Sequence, residues 1–363
     1  MNREPSGGGM RAPAPPDSQN LPSQVKGQPV TRKGIQQRFF NIVVASRVGD
    51  AMGTPTEGLS PEQVESEFGW LADFAGDGTD DSLMARILAE TLSNTTSFVT
   101  ADEWAAAIHQ HRPEILAMQD KFFASVLHLV EKLEAGFRPS EVALGNMPSS
   151  SSAMCIWPVA LVNIGQPEAA AHQAYELARL IHVNDADHCT DAAAALAAAI
   201  SAAFLPQATI SSCTTTALSA LRPTSGNRFR AALLEATQLA AGSDSYRDFR
   251  DSYQARFSRP IFCDALETVP AAFGLAILAD GEVRTAVEYG ANFGRDSDTI
   301  ASMAGALCGA LTEIPQAWID SLGQEAVVSA MRLAGVLLGS AAQRARREHE
   351  RLDVATAILK GDL

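Results

Sequence analysis

Apolar residues recur at intervals of three and four through 85–92, 101–109, 122–134, 168–182 and 191–204, the spacing that gathers one face of an α-helix. Residues 192–200 read AAAALAAAI, and a helix with no wet face belongs in the middle of a bundle. Residues 301–311, ASMAGALCGAL, alternate small and larger side chains, which lets a second helix approach closely. No segment alternates strongly enough for a strand, and no long-period repeat recurs. Breaks fall at 145–152, 206–216, 222–227 and 242–244, each with helical pattern resuming at once on both sides. The pattern predicts an all-α chain with one helical domain over 35–363.

The two ends differ. Residues 1–34 are rich in Pro, Gly, Ser, Gln and Asn and carry almost no apolar side chains. Such a segment cannot bury enough surface to offset chain entropy and is expected to be a disordered tail. It also lacks the apolar stretch of a secretory signal. Near the other end, 324–352 reads as a helix that opens apolar and closes with Arg344, Arg346, Arg347 and Arg351, as suits the negative end of a helix dipole.

Charge and cysteine use narrow the function classes. The 28 Lys and Arg against 42 Asp and Glu leave a net charge of −14, which repels phosphate backbones and anionic bilayers. Neither nucleic acid nor a membrane is expected as a partner, and no uninterrupted apolar run approaches the roughly 18 residues of a span. Cys155, Cys189, Cys213, Cys263 and Cys308 are scattered, with no C-x-x-C pair. That disfavours a zinc cage or a disulfide scaffold and favours a reducing, cytoplasmic setting.

Two acidic motifs stand where a loop enters a helix: Gly76-Asp77-Gly78-Thr79-Asp80-Asp81-Ser82 and Gly294-Arg295-Asp296-Ser297-Asp298-Thr299. One carboxylate is enough to cap a helix. Each of these starts carries at least two, in apolar surroundings with few Lys or Arg nearby. Buried carboxylates without cationic partners either take up protons or recruit a metal. Carboxylates with hydroxyls, and no Cys or His close by, form a hard-oxygen set that selects Mg²⁺, Mn²⁺ or Ca²⁺ over zinc or copper. A shared site requires Asp80 and Asp296, 216 residues apart, to meet in the fold. A third segment, Val48-Gly49-Asp50-Ala51-Met52-Gly53-Thr54-Pro55-Thr56-Glu57, allows tight packing at its glycines and projects Glu57 from a loop.

These pieces, in this order, resemble the ADP-ribosylglycohydrolase family. Gly49-Asp50-x-x-Gly53-x-x-x-Glu57 is similar to its opening motif, Thr79-Asp80-Asp81-Ser82 to its T-D-D-T motif, and Asp296-x-Asp298-Thr299 to its D-x-D-T helix start. Glu267-Thr268-Val269-Pro270 and Ile314-Pro315-x-x-Trp318 also resemble family segments. The resemblance implies an orthogonal, multi-helix all-α fold with two Mg²⁺ in a cleft, Mn²⁺ being possible in their place. Thr79, Asp80, Asp81, Asp296, Asp298 and Thr299 would be the ligands, and Glu57, Asp80 and Asp298 the catalytic residues.

Departures bear on the substrate. In 145–155 (GNMPSSSSAMC), Cys155 stands where the family carries Arg, and serines replace an Asn-Gly pair. Ile181-His182 replaces a Thr-His pair, and Arg295 a more usual Gly. Ser151, Ser152 and His182 are the expected substrate-binding residues. Arg295 would either face the ligand or balance Asp296. The resemblance implies hydrolysis of the C1″ bond of ADP-ribosylated protein side chains or small ADP-ribosyl conjugates. The alternatives are an N-glycosidase for a nucleoside or another small ribosylated metabolite, and a non-catalytic ADP-ribose-binding relative.

Overall fold

The computed structural model describes residues 32–76, 78–95 and 98–361. Among the described residues there are sixteen α-helices and no strand. They begin with α1 (Arg32–Gly53), α2 (Pro61–Glu67), α3 (Asp80–Asn94), α4 (Ala101–Gln110), α5 (Arg112–Ala117) and α6 (Ala124–Glu134). Next come α7 (Trp157–Val162), α8 (Pro167–Ala178), α9 (Asp187–Ala202), α10 (Ile210–Ala220) and α11 (Asn227–Gly242). The chain closes with α12 (Tyr246–Phe257), α13 (Ala265–Leu278), α14 (Val283–Ala291), α15 (Ser297–Gly309) and α16 (Gln316–Lys360). The fold is all-α, as the periodicity predicts.

The expected tail over 1–34 lies outside the described residues up to residue 31, whereas 32–34 already belong to α1. Those three positions (RKG) carry no large apolar side chain, so periodicity could not extend the helix across them. The break expected over 206–216 is also corrected, because α10 starts at Ile210. Its Ser- and Thr-rich turns resemble a loop in composition. The Thr209 hydroxyl accepts from the Ser212 N–H, and the hydroxyls of Thr214, Thr215 and Thr216 donate to carbonyls four residues back. Local side-chain bonds thus satisfy a segment that would otherwise compete against helix.

The helix read over 324–352 begins just past Gly323, whose φ of +78° breaks α16, and it continues to Lys360. Arg344 to Arg351 therefore lie more than about two turns short of the C-terminus, out of reach of its dipole, and that explanation of the arginines fails. One eighteen-residue window of α16 has a mean hydropathy of 1.4, enough by length and composition to cross a membrane. Counting uninterrupted apolar runs misses this, since Gly, Ser and Arg332 divide the stretch. Ala326, Ala330, Ala334, Leu337 and Ala341 form the buried stripe of the helix.

Two features of the core were legible. All of α9 from His188 to Ala202 is buried, as AAAALAAAI requires. Helices α1 and α15 lie antiparallel with their backbones nearly touching. A Cβ at Gly49 would stand 2.4 Å from the Ala301 carbonyl oxygen, and one at Gly53 2.3 Å from the Asp298 Cα. From the other helix, a Cβ at Gly305 would stand 2.4 Å from the Ala45 carbonyl oxygen. Ser46 and Ser302 share a buried hydrogen bond of 2.9 Å across the same seam.

Gly305→Ala is expected to destabilise the protein by about 1–3 kcal/mol, because the neighbour is backbone and cannot give way. Gly335→Ala, where a Cβ would meet nothing within 4 Å, should be neutral or stabilising by up to ~1 kcal/mol. Urea denaturation of the two variants checks this, and equal midpoints would refute the contact.

Candidate active site

The seam delivers three chain segments to one end of the molecule. On α1, the buried Asp50 carboxylate accepts from the backbone N–H of Thr79 (2.8 and 2.9 Å) and of Ser82 (3.0 Å). It also accepts from the hydroxyls of Thr79 (2.8 Å) and Ser82 (2.6 Å). Asp50 therefore caps α3 from a different helix. Gly78 makes this possible: its φ is +85°, and a Cβ there would lie 2.5 Å from Asp50 Oδ2. Because the cap comes from outside, Asp80 and Asp81 in the first turn of α3 are spared that duty.

The second acidic motif opens α15. Asp296 occupies the N-cap position without a side-chain capping bond, and Asp298 sits in the first turn. Thr299 N–H donates to Asp298 Oδ1 at 2.8 Å, and Ser150 Oγ donates to Asp296 Oδ2 at 3.0 Å. The Thr299 hydroxyl reaches Asp81 Oδ1 at 3.3 Å, joining the two motifs across 218 residues of chain. The Glu57 loop is tied to the same place. Gly58 N–H donates to the Arg295 carbonyl (2.7 Å), and Arg295 N–H to that of Leu59 (2.8 Å). Carboxylate oxygens of Glu57, Asp296 and Asp298 all lie within 4.8 Å of one another. The structure thus brings together Glu57, Thr79, Asp80, Asp81, Asp296, Asp298 and Thr299.

These acids border a cleft of ≈ 180 Å³ whose lining includes Glu57, Asp80, Asp296, Asp298 and Thr299, with Ser150, Ser151, Met154, Phe123 and Phe262. Lys121 is the only cation among the described lining residues, and its Nζ stands 3.9 Å from Glu57 Oε2. The carboxyls respond to this setting. Burial, then the charges of neighbouring carboxylates, holds Asp80, Asp81 and Asp298 well above the usual range. Asp296 is pushed up to about 8 by burial and by Glu57. Burial also raises Glu57, against the lowering effect of Lys121.

The arrangement fits a divalent cation. Asp81 Oδ2 is buried with no hydrogen-bond partner among the described residues, and the donors are hard oxygens throughout. A buried carboxylate oxygen with neither donor nor cation is costly.

Several of the expected residues stand away from the cleft. Ser151 lines the cleft, but Ser152 and His182 are buried behind it at 1% and 0% exposure. The His182 ring is held between Ser149 Oγ (3.0 Å) and Ser152 Oγ (2.9 Å). Burial lowers its pKa to about 3, so it is neutral. Both residues brace the serine loop, and neither is part of the cleft lining. Cys155 is buried too, its thiol pushed up to about 12 by burial, so it supplies no charge where the family has Arg. Arg295 neither faces the cleft nor pairs with Asp296. It adopts φ +59° and its guanidinium pairs with the buried Glu267, donating also to the Arg259 carbonyl at 2.7 Å. His188, near the start of α9, is buried 3.0 Å from Asp264.

Sequence reasoning missed Asp50 as the cap of α3, Ser150 as the partner of Asp296, and the rim residues Lys121, Phe123 and Phe262. For Asp50 a signal existed, since the acid lies between the two seam glycines. For the rim no local pattern distinguishes Asp120-Lys121-Phe122-Phe123 from any amphipathic turn.

Residues 31–348 match the ADP-ribosylglycohydrolase family. The chain belongs to that family, and with it to the glycosidic-bond hydrolases. It is 24% identical over 301 residues to the uncharacterised protein YegU of Escherichia coli K12, covering 76% of this chain and 87% of that one. It is 36% identical over 73 residues to an uncharacterised protein of Archaeoglobus fulgidus, a match spanning 18% of this chain and only 24% of the archaeal protein. A solved structure described as an ADP-ribosylglycohydrolase-related protein complex superposes with a TM-score of 0.63 at 21% identity. That likeness covers 85% of this chain and 99% of the other, and it establishes the shared fold.

The raised carboxyls carry a sign. Each binds its proton more tightly folded than unfolded, so their contribution to stability is present at low pH and is lost as pH rises through the folded pKa. Between about pH 6 and 8, above the range of ordinary carboxylates, the metal-free protein should melt progressively lower as Asp296 ionises toward its value of about 8. Added Mg²⁺ should restore the melting temperature most at the alkaline end. Melting curves with chelator and with Mg²⁺ check this, and a metal-free protein unaffected by pH over that window would contradict it.

Proposed function

We propose that the protein is a Mg²⁺-dependent hydrolase that cuts the C1″ bond of ADP-ribosylated protein side chains or small ADP-ribosyl conjugates. One observation carries the reading. Carboxylates from three distant segments, Glu57, Asp80 and the Asp296–Asp298 pair, border one cleft beside Ser150 and Ser151, and oxygens of Glu57, Asp296 and Asp298 lie within 4.8 Å of one another. Thr79, Asp80, Asp81, Asp296, Asp298 and Thr299 would hold two Mg²⁺, with Mn²⁺ as the next candidate. Bound cations would supply Lewis acidity and fixed positive charge to ribose hydroxyls and water.

The chain's own residues supply the rest. Glu57 is partly exposed at the cleft, with its pKa raised by burial, which supports a role in taking a proton from an attacking water. Asp80 and Asp298 present negative charge to the oxocarbenium character that develops at the sugar as the bond opens. The hydroxyls of Ser150 and Ser151 hydrogen-bond the ribose, and Phe123, Phe262 and Met154 exclude bulk water. A reducing, cytoplasmic setting belongs to the same proposal and is supported by five buried free thiols.

A second reading keeps the chemistry and changes the substrate to a nucleoside or other small ribosylated metabolite. It rests on size and charge. The cleft of ≈ 180 Å³ falls below the roughly 300–1,000 Å³ of sites that enclose larger ligands. Its one cation among the described lining residues, Lys121, already neighbours Glu57.

Release of ADP-ribose from an ADP-ribosylated protein, measured with Mg²⁺ and with chelator, tests the first reading. Asp80→Asn and Asp298→Asn should each lower turnover by about 10²-fold or more while leaving the helical content intact. Undiminished turnover in both variants would overturn it. Base release from nucleosides, with no ADP-ribose freed from any acceptor, would favour the second reading.

A further inference from the structure

A second cavity shares no lining residue with the cleft and carries the opposite charge. It lies between α16 and the start of α8, and Arg344, Arg347 and Arg351 border it against a single acid, Glu348. In a chain of net charge −14 such a concentration needs a cause, and the helix end is too far away to be one.

Arg344 is the informative residue. Its Nη1 donates to Gln173 Oε1 at 2.9 Å, and its guanidinium lies 5.9 Å from the Phe98 ring centroid. Nε and Nη2, which lie along one edge of the guanidinium, are buried with no partner among the described residues. No carboxylate among the described residues lies within ion-pair distance of Arg344, and burial alone draws its pKa down to about 10. Gln173 cannot help by turning round. Its oxygen already accepts from both Arg344 and Asn163 Nδ2 (2.8 Å), and a flip would set nitrogen against nitrogen. An arginine whose planar edge is desolvated and unpaired is destabilising unless an anion meets it, and that edge has the geometry of bidentate oxyanion recognition.

We propose that this cavity is an anion site that takes a phosphate group, as the free ion or as the terminal phosphate of a small ester, on the Nε–Nη2 edge of Arg344. The cavity of ≈ 50 Å³ has room for one tetrahedral oxyanion and not for a nucleotide. Arg347 and Arg351 border the same space and add positive charge, while the side-chain amide of Gln166 on its wall offers a further donor.

Calorimetric titration of the full-length protein tests this, with inorganic phosphate in one arm and glycerol phosphate in the other. Chelator is present so that the acidic cleft repels anions, and ionic strength is held constant. One phosphate should bind saturably, about tenfold or more weaker in Arg344→Met and unchanged in Asp298→Asn. The arm with the tighter binding identifies the free ion or the ester. In phosphate-free buffer Arg344→Met should melt no lower than the parent, since it removes an unpaired buried charge, and phosphate should no longer raise its melting temperature. Should that variant fail to fold, Arg351→Gln, an exposed change at the rim, should still weaken binding several-fold. Heats matching those of sodium chloride, or equal stabilisation of parent and variant by phosphate, would overturn the proposal.

Discussion

Everything at the acidic site depends on how closely α1 and α15 approach. With Gly53 against the Asp298 backbone and Gly49 against Ala301, the two helices have no side chain between them at that end. The first turn of α15 is therefore fixed relative to the last turn of α1 and to the loop that follows it. From α1 the contact passes to α3, because Asp50 lies between the two seam glycines and holds the Thr79 and Ser82 amides. From α15 it passes to the Glu57 loop through paired backbone hydrogen bonds between Arg295 and residues 58–59. A larger residue at any of these glycines would separate the carboxylates before it touched any of them.

That fixed geometry confines charges that repel. Helix N-termini at α3 and α15 favour negative charge, but by about 0.3–1 kcal/mol each, and ~2 kcal/mol at best. Taking a single carboxylate out of water costs several kcal/mol, and here Asp50, Asp80, Asp81, Asp296 and Asp298 are all buried. Asp50 is satisfied by four donor groups. Burial raises its pKa nonetheless, and the others, with fewer donors and more carboxylate neighbours, are moved upward by burial and mutual repulsion. Dipoles and hydroxyls orient the cluster without neutralising it. Protons or divalent cations must complete the balance, and at neutral pH the hard-oxygen donor set favours the cation.

The helical architecture was legible because it is periodic: the wholly apolar α9 and the small-residue face of α15 declare their burial in consecutive residues. The acidic motifs were legible because two carboxylates at a helix start exceed what capping needs. What the sequence withheld was orientation. Ser152 directly follows Ser150 and Ser151, which line the cleft, yet its hydroxyl meets the His182 imidazole at 2.9 Å, and neither it nor His182 is part of that lining. Arg295 is adjacent to Asp296 in sequence, but its left-handed backbone directs the guanidinium to Glu267. Composition likewise hid the start of α10, where hydroxyls that ordinarily favour loops bond back along the helix.

The two clusters answer to one physical criterion, an unmatched buried charge. An orphaned atom alone does not meet it. Asp191 Oδ2 is also without a partner, yet the other oxygen of that carboxylate accepts from Arg222 at 3.0 and 2.8 Å, so the charge is answered within the fold. Trp157 Nε1 is orphaned but neutral. Asp81 and Arg344 differ from both. Each is charged in its ordinary state, each keeps a buried polar edge without a donor or acceptor among the described residues, and each stands where opposite charge is scarce. One belongs to a cluster that calls for cations, the other to a cluster that calls for anions. A fold that leaves two such charges unanswered, of opposite sign and in separate clusters, calls for complementary ions from outside the polypeptide.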